Sequence, residues 1–420
     1  MLKTSTFEEN LRAVVGQDNL RVATAADAVS GVLPQFVAEP DDEKQLANAL
    51  SLANDIGIAV VPRGGATKLE WGNPPKRAEL ILSAARLNRI VEHAWADLTV
   101  TVEAGCTLQS LQQSLAQHGQ RLAFDGLWPE RATIGGVLST NDSGALRLRF
   151  GALRDLIIGV TIALPDGALA SSGGKVVKNV AGYDLPKLVT GAFGTLGVIT
   201  RAVFRLHPLP RAAKTFSFTA EDFSAMQQHI LAIQDSQLAH TSLQIRCAAG
   251  ELPAADVLFE ATDAGLAAQE SQLRKLLGSA RVEQSSENIW NARQDLWNSS
   301  TNTTLKAKIS LLPTDIAKTL DSLKVICDSR KVNWQIVLQA TGIGMLRLEA
   351  GPAQLSAAVE QLRNGSQSRD GALVVLHRPP ELHSIDAWGN AGDDVSLMRA
   401  VKHQLDPRNT LNPGRFVGGI

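Results

Sequence analysis

Between positions 41 and 61 the chain runs through one clear helix-and-strand rhythm. Asp41-Asp42-Glu43 places acids at the positive end of a helix, and Leu46, Ala49, Leu50 and Ala53 recur at helical spacing until Gly57 ends it. Residues 58–61 then read as a buried strand. A weaker amphipathic helix near 8–15 and an extended approach to Pro40 precede this pair. Further on, 79–83 and 98–103 read as strands, and 107–118 as a helix with Leu108, Leu111 and Leu115 on one face. An apolar strand at 156–164 meets Pro165-Asp166-Gly167, a turn of the hairpin kind. Another strand passes through Arg201 to Leu206.

After Pro208-Leu209-Pro210 the texture changes. Strands at 215–218, 242–247, 257–261 and 281–283 are interleaved with helices at 222–234 and 264–277. A helix near 287–297 follows. The order then recurs, with strands at 304–311, 334–339, 345–349 and 372–376 and helices at 314–328 and 353–362. Two βαββαβ units predict a pair of ferredoxin-like halves forming an antiparallel sheet with helices on one face. The repeat lies in element order, not in residues. The fold class is α+β, divided into 1–210, 211–376 and a tail, 377–420, holding a helix at 397–405 and a turn-rich end.

Composition narrows the partners. A chain of 420 residues, 44% hydrophobic, can bury two or three cores. Its net charge of −1 gives no broad footprint for nucleic acid or anionic membrane. No run approaches a bilayer span, and the first residues do not form a secretory signal. Cys106, Cys247 and Cys327 are far apart, which argues against an iron–sulfur cluster, a structural zinc or a disulfide framework. Cytoplasmic localisation is expected, with any membrane association peripheral and made through a complex.

Three small-residue segments carry the candidate chemistry. In Val61-Pro62-Arg63-Gly64-Gly65-Ala66-Thr67, glycines free to take positive φ let N–H groups line an anion site, Pro62 sets the entry angle, and Arg63 and Thr67 add donors. Alone, this stretch fits an ordinary strand and turn equally well. The second runs from Thr133 to Gly144, with Thr133, Gly135, Gly136, Thr140, Ser143 and Gly144 offering backbone and hydroxyl donors with little bulk. The third runs from Gly173 through Lys178-Asn179-Val180-Ala181-Gly182-Tyr183-Asp184-Leu185 to Gly194-Thr195-Leu196-Gly197-Val198. Tyr183, the sole tyrosine, is expected to be a packed aromatic whose hydroxyl finds a partner. Three such loops among αβ and β elements point to one dispersed cradle. Near the end, Asn412 is open to a buried polar use.

These residues resemble the FAD-binding domain of the vanillyl-alcohol oxidase-type (PCMH-type) flavoproteins. The match lies in Val61–Thr67, Thr133-Ile134-Gly135-Gly136, Gly182-Tyr183-Asp184-Leu185, Gly194–Thr200 and Leu411-Asn412-Pro413-Gly414-Arg415, in the family's order. Within the family the likeness is greatest to the FAD-binding subunits of bacterial glycolate oxidases, relatives of D-lactate and D-2-hydroxyacid dehydrogenases. The resemblance implies two FAD-clasping subdomains, about 1–95 and 96–210, and a cap at 211–376. It implies that Pro62, Arg63, Gly64, Gly65, Ala66 and Thr67 bind the FAD pyrophosphate. Thr133, Gly135, Gly136, Thr140, Ser143 and Gly144 would line the cofactor, and Gly197 and Val198 would touch it through the backbone. Arg63 has a second reading as a salt-bridge partner.

The sequence departs from the family where catalysis is usually written. The His-x-His-Gly-Asp-Gly-Asn segment and the Glu-His-Gly near the tail are missing; Asp386-Ala387-Trp388-Gly389 stands in the latter region, and His377 and His383 have other spacing. No metal site and no catalytic residue can be assigned, and no histidine in the first loop would attach FAD covalently. The resemblance therefore implies a non-covalent FAD subunit that oxidises glycolate to glyoxylate alongside a catalytic flavin subunit and an iron–sulfur subunit. Two alternatives stand beside it: a self-sufficient D-2-hydroxyacid or D-lactate dehydrogenase, and a non-catalytic scaffold with a vestigial flavin fold.

Overall fold

The computed structural model describes residues 2–175, 182–298, 301 and 303–420. The chain divides into two compact units. The first comprises Met1–Ser143, Gly151–Leu209 and Asn390–Ile420, the second Gly144–Phe150 and Pro210–Gly389.

The first unit is built on two sheets. Strands β1 (Leu20–Val22), β2 (Phe36–Ala38), β3 (Val60–Arg63) and β4 (Leu80–Ser83) form a sheet in the order β1-β2-β4-β3. β4 runs parallel to both β2 and β3, and β1 is antiparallel to β2. The helix Glu43–Ile56 that leads into β3 has defined ends. Asp42 accepts hydrogen bonds from the N–H groups of Lys44 and Gln45, and Gly57 closes the other end at φ 75°. Its buried stripe, Leu46, Ala49, Leu50 and Ala53, packs with Phe7, Leu11 and Val15 of the first helix over Val60, Leu80 and Leu82. Burying each leucine contributes about 2 kcal/mol. β3 is thereby a rigid base for the loop after it.

Strands β5 (Ile90–Ala94), β6 (Thr99–Glu103), β8 (Ile157–Ala163), β9 (Leu169–Gly173) and β10 (Val198–Arg205) make an antiparallel sheet in the order β5-β6-β10-β8-β9; β7 (Gln120–Arg121) pairs separately with β11 (His207–Pro208). The 165–167 turn joins β8 to β9 as a hairpin. β5 falls upstream of the expected subdomain boundary at 95/96; it is exposed at Val91 and Glu92 and half-exposed elsewhere, with no buried alternation to mark it.

The second unit holds β12 (Ala212–Thr219), β13 (His240–Ala248), β14 (Ala254–Ala261), β15 (Glu283–Ser285), β16 (Thr304–Ser310), β17 (Asn333–Gln339), β18 (Ile343–Glu349) and β19 (Ala372–His377). They form one sheet, antiparallel throughout, in the order β15-β12-β14-β13-β17-β18-β16-β19. Read outward from the β13–β17 seam, each half has the same order, so the duplicated βαββαβ pattern is real. One face alternates into the core: Phe216, Ile245, Phe259, Leu305, Ile336 and Leu348 pack against helices Phe223–Asp235, Asp263–Leu277, Ile316–Arg330 and Pro352–Gln367. Gly144–Phe150 joins this unit through Leu148, a grouping the sequence reading did not foresee. The return to the first unit falls at Asn390, beyond the expected 377.

The opposite sheet face is polar and yet buried. Asp256 is fully enclosed and satisfied by a two-pronged contact from Arg246 (2.7 and 3.1 Å), by Gln244 Nε2 (2.9 Å) and by Ser217 Oγ (2.7 Å). Lys306 donates to the Trp297 carbonyl at 3.0 Å and lies 4.7 Å from that ring's centre.

Candidate cofactor site

At the C-terminal end of β3 the chain enters the first glycine loop. The Arg63 carbonyl accepts from the Ala84 N–H at 2.8 Å. Gly64 and Gly65 were expected for left-handed backbone, but only Ala66 takes a positive φ here, 59°. The glycines are required for another reason. A Cβ on Gly64 would sit 2.0 Å from Thr133 Oγ1, and one on Gly65 would sit 1.7 Å from the Arg131 carbonyl oxygen. The loop lies directly against the second segment, and only glycine leaves room.

Arg63 is corrected towards its second reading. Its guanidinium donates to Asp27 Oδ1 at 2.8 Å and lies 3.6 Å from Glu39. Asp27, 5% exposed, also receives both prongs of Arg21 at 2.7 Å. Arg21 above all, then the Thr24 N–H and Arg63, hold the Asp27 carboxyl well below the usual carboxylate range against the cost of burial. Arg63 lines the cavity, but its charge is committed to a carboxylate.

The second segment starts as a bridge between Thr107 and Thr133, with the Gly135 N–H on the Ala104 carbonyl (2.7 Å), and runs into the helix Ile134–Thr140. Thr140 Oγ1 donates back to the Gly136 carbonyl at 2.9 Å. Thr133 Oγ1 is buried and makes no hydrogen bond. The third segment turns at Phe193 and Gly194, both with positive φ, and the Phe193 N–H meets the Ser139 carbonyl at 2.9 Å. Residues 176–181 of that segment, Lys178 to Ala181 among them, lie outside the described residues. Tyr183 is 90% exposed, not packed as expected; what the sequence presented as an aromatic in a small-residue run is a surface side chain.

The C-terminal tail adds Asn412 and Arg415 to the wall, held from outside the cleft by Lys402 and Asp406. Lys402 is buried, with Nζ on Asp406 Oδ2 (2.5 Å) and on the carbonyls of Thr195 and Leu411 (each 2.8 Å). Asp406 in turn accepts from the Thr410 and Leu411 N–H groups. Arg415 donates to the carbonyls of Leu69 and Trp71, and burial lowers its pKa to about 10.

Together these segments line one open cleft. Pro62, Arg63, Gly64, Gly65, Ala66, Thr67, Thr133, Gly135, Gly136, Thr140, Gly197 and Val198 all line it. Ser143 and Gly144 do not. Asn141 ends the helix in the left-handed conformation and turns the chain, Ser143 is buried outside the lining, and Gly144 opens the stretch grouped with the second unit. Lys68, Asn412 and Arg415 line the cleft without having been singled out as site residues. Lys68 had a signal, a cation directly after the loop. It is 7% exposed, 3.5 Å from Asp142 Oδ2 and 5.2 Å from the centre of the Trp128 ring.

The other candidates are quiet. Burial pushes the Cys106 thiol up to about 11, with the Glu103 charge adding to it, so Cys106 is a packed thiol and no thiolate. Asp386 Oδ1 accepts from the Trp388 and Gly389 N–H groups, and the carbonyls of Asp386 and Ala387 accept from Arg363. The segment standing where a base was sought is thus used for its own turn. His383 is exposed and His377 half-buried at the end of β19. Among the described residues no group of three or more His, Cys, Asp or Glu is placed to hold a metal.

A buried hydroxyl with no partner, in a cleft walled by glycine backbone, fits a long polar ligand that brings its own acceptors. This fold and this cleft are consistent with an FAD-binding protein of the PCMH type. Residues 34–173 match the FAD binding domain family, and residues 388–416 match the C-terminal domain of FAD linked oxidases. The chain is 27% identical to D-2-hydroxyglutarate dehydrogenase of Xanthomonas citri pv. viticola, across 91% of this chain and 89% of the relative. It is 30% identical to glycolate oxidase subunit GlcD of Bacillus subtilis, across 57% of this chain and 53% of that one. The fold matches p-cresol methylhydroxylase with substrate bound at a TM-score of 0.79, over 98% of this chain and 96% of that one, at 15% identity. Two segments of the chain thus match FAD-binding and FAD-linked oxidase domains, its relatives include 2-hydroxyacid dehydrogenases and oxidases, and its cofactor is FAD.

Proposed function

We propose that this chain is the FAD-binding subunit of a glycolate oxidase complex, in which glycolate is oxidised to glyoxylate and electrons pass to a catalytic flavin subunit and an iron–sulfur subunit. The observation that carries this is the glycine-walled cleft with its unpartnered Thr133 hydroxyl. Bound FAD supplies the two-electron acceptor. The chain's residues would hold it: the N–H groups of the 64–67 loop would face the pyrophosphate, Thr133 Oγ1 would donate to it, and Gly135, Gly136, Gly197 and Val198 would leave it room close to the main chain. Thr67 would add a hydroxyl, while the Thr140 hydroxyl donates to the Gly136 carbonyl and would offer only its lone pairs. Arg63 shapes the loop through Asp27 and leaves the phosphates to the backbone. The committed hydrogen bonds of Asp386, Trp388 and Gly389 favour a chain that holds a flavin and works with partners.

A second reading is a self-sufficient D-2-hydroxyacid dehydrogenase, favoured by the likeness to D-2-hydroxyglutarate dehydrogenase along 91% of the chain. Anaerobic titration with glycolate, followed at the flavin absorption band, tests both. The complex reading expects no bleaching of the purified chain and bleaching once the partner subunits are added. Bleaching of the chain alone by glycolate, D-lactate or D-2-hydroxyglutarate would establish the second reading. Persistent absorbance in both arms would overturn the first.

A further inference from the structure

The tail supplies the cleft with a polar residue that the reading above does not use. Asn412 lines the cleft and is 2% exposed. Its groups can be assigned one at a time. The backbone N–H donates to the Val60 carbonyl at 2.9 Å. Nδ2 donates to the Phe193 carbonyl at 2.6 Å. A carbonyl only accepts, so the amide cannot be turned the other way. What remains is Oδ1, which is buried and accepts no hydrogen bond. A buried amide oxygen in that state destabilises the protein unless something brings it a donor. The backbone is also specialised, since Asn412 holds φ 47°, a conformation that asparagine tolerates better than most residues with a side chain.

We propose that Asn412 is a cofactor-positioning residue whose Oδ1 accepts a hydrogen bond from an N–H or O–H group of the bound FAD. This rests on the cleft being the FAD site. The chemistry of the atom narrows the contact. At neutral pH the diphosphate of FAD carries acceptors only, so Oδ1 does not serve it. The donors of FAD are the flavin imide N–H, the adenine amino group and the ribityl and ribose hydroxyls. Asn412 therefore meets a donor group of the cofactor and not its phosphates, and ties the C-terminal tail to cofactor occupancy.

The test is calorimetric titration of refolded apo-protein with FAD, with far-UV circular dichroism of each apo variant. Asn412→Gly keeps the left-handed backbone and removes the amide; it should raise Kd about tenfold, the equivalent of one lost buried hydrogen bond. Asn412→Asp keeps an acceptor and loses the donor; it should recover most of the FAD affinity while remaining less stable as apo-protein. Lys402→Met loosens the tail outside the cleft and should lower the apo Tm with Kd within about twofold of wild type. Gly65→Ala tests the cleft itself and should lose FAD most severely. If Asn412→Gly binds within twofold while Gly65→Ala fails, the inference falls and the cleft stands. If Asn412→Gly and Lys402→Met weaken binding equally, or Asn412→Asp is no better than Asn412→Gly, the residue merely docks the tail. If neither Gly65→Ala nor Asn412→Gly changes Kd, the cleft is not the FAD site.

Discussion

The two units solve opposite packing problems. Around the cleft, side chains are removed so that main chain can meet main chain: Gly65 lies where even a methyl would fall 1.7 Å from the Arg131 carbonyl oxygen. In the second unit side chains do the work, and Phe216, Phe259, Leu305 and Leu348 fill one core under four helices. The difference shows where tolerance lies. A core can absorb a smaller residue at a graded cost, whereas a backbone-to-backbone approach fails at the first added carbon.

The sharpest break of that comparison is within the loop. Gly65→Ala should abolish stoichiometric FAD retention, since its new carbon meets a carbonyl that cannot move aside, while Gly64→Ala, facing the rotatable Thr133 hydroxyl, should keep a measurable fraction. Flavin-to-protein ratios from absorbance decide it; equal retention in both would show that the loop relaxes freely. Next in size, Phe259→Ala in the fully buried second core should lower unfolding free energy by about 4 kcal/mol in denaturant titration. Its FAD Kd should stay within about twofold, and a large change would overturn the contrast between graded core and all-or-none loop.

The smallest effect concerns the clasp beneath the loop. Asp27 has a folded pKa below its unfolded one, so its contribution is present above the unfolded value, about 3.9, and is lost as pH falls through the folded value. Asp27→Asn should therefore cost about 3 kcal/mol at pH 7 and flatten the fall of stability below pH 4. Thermal melts from pH 7 down to pH 2.5 measure this. An unchanged acid limb would remove Asp27 as a source of that dependence.

Much of the architecture was legible along the chain because it is periodic or punctuated. The helix before β3 announced both of its ends in Asp42 and Gly57, and the two βαββαβ orders could be counted off before any strand was paired. β1 and β5 could not be read, since three to five mostly exposed or half-exposed residues show no sustained alternation, whereas the buried β2 falls within the expected extended approach to Pro40. The glycine segments could be found but not explained. Their role as points of close approach depends on Arg131 and Thr133, residues more than sixty positions away.

The remaining division follows from the range of the forces. The sequence by itself determined the α+β class, the duplicated sheet and the three segments that meet in the cleft, because helix spacing, strand order and glycine content are local properties. Only the tertiary structure decided that Arg63 answers to Asp27, that Ser143 and Gly144 leave the cleft, that Tyr183 faces solvent, and that Asn412 from the far end of the chain lines it with a buried amide. Those outcomes depend on which groups lose water together. Desolvation and pairing across hundreds of residues leave no mark in the order of the residues themselves.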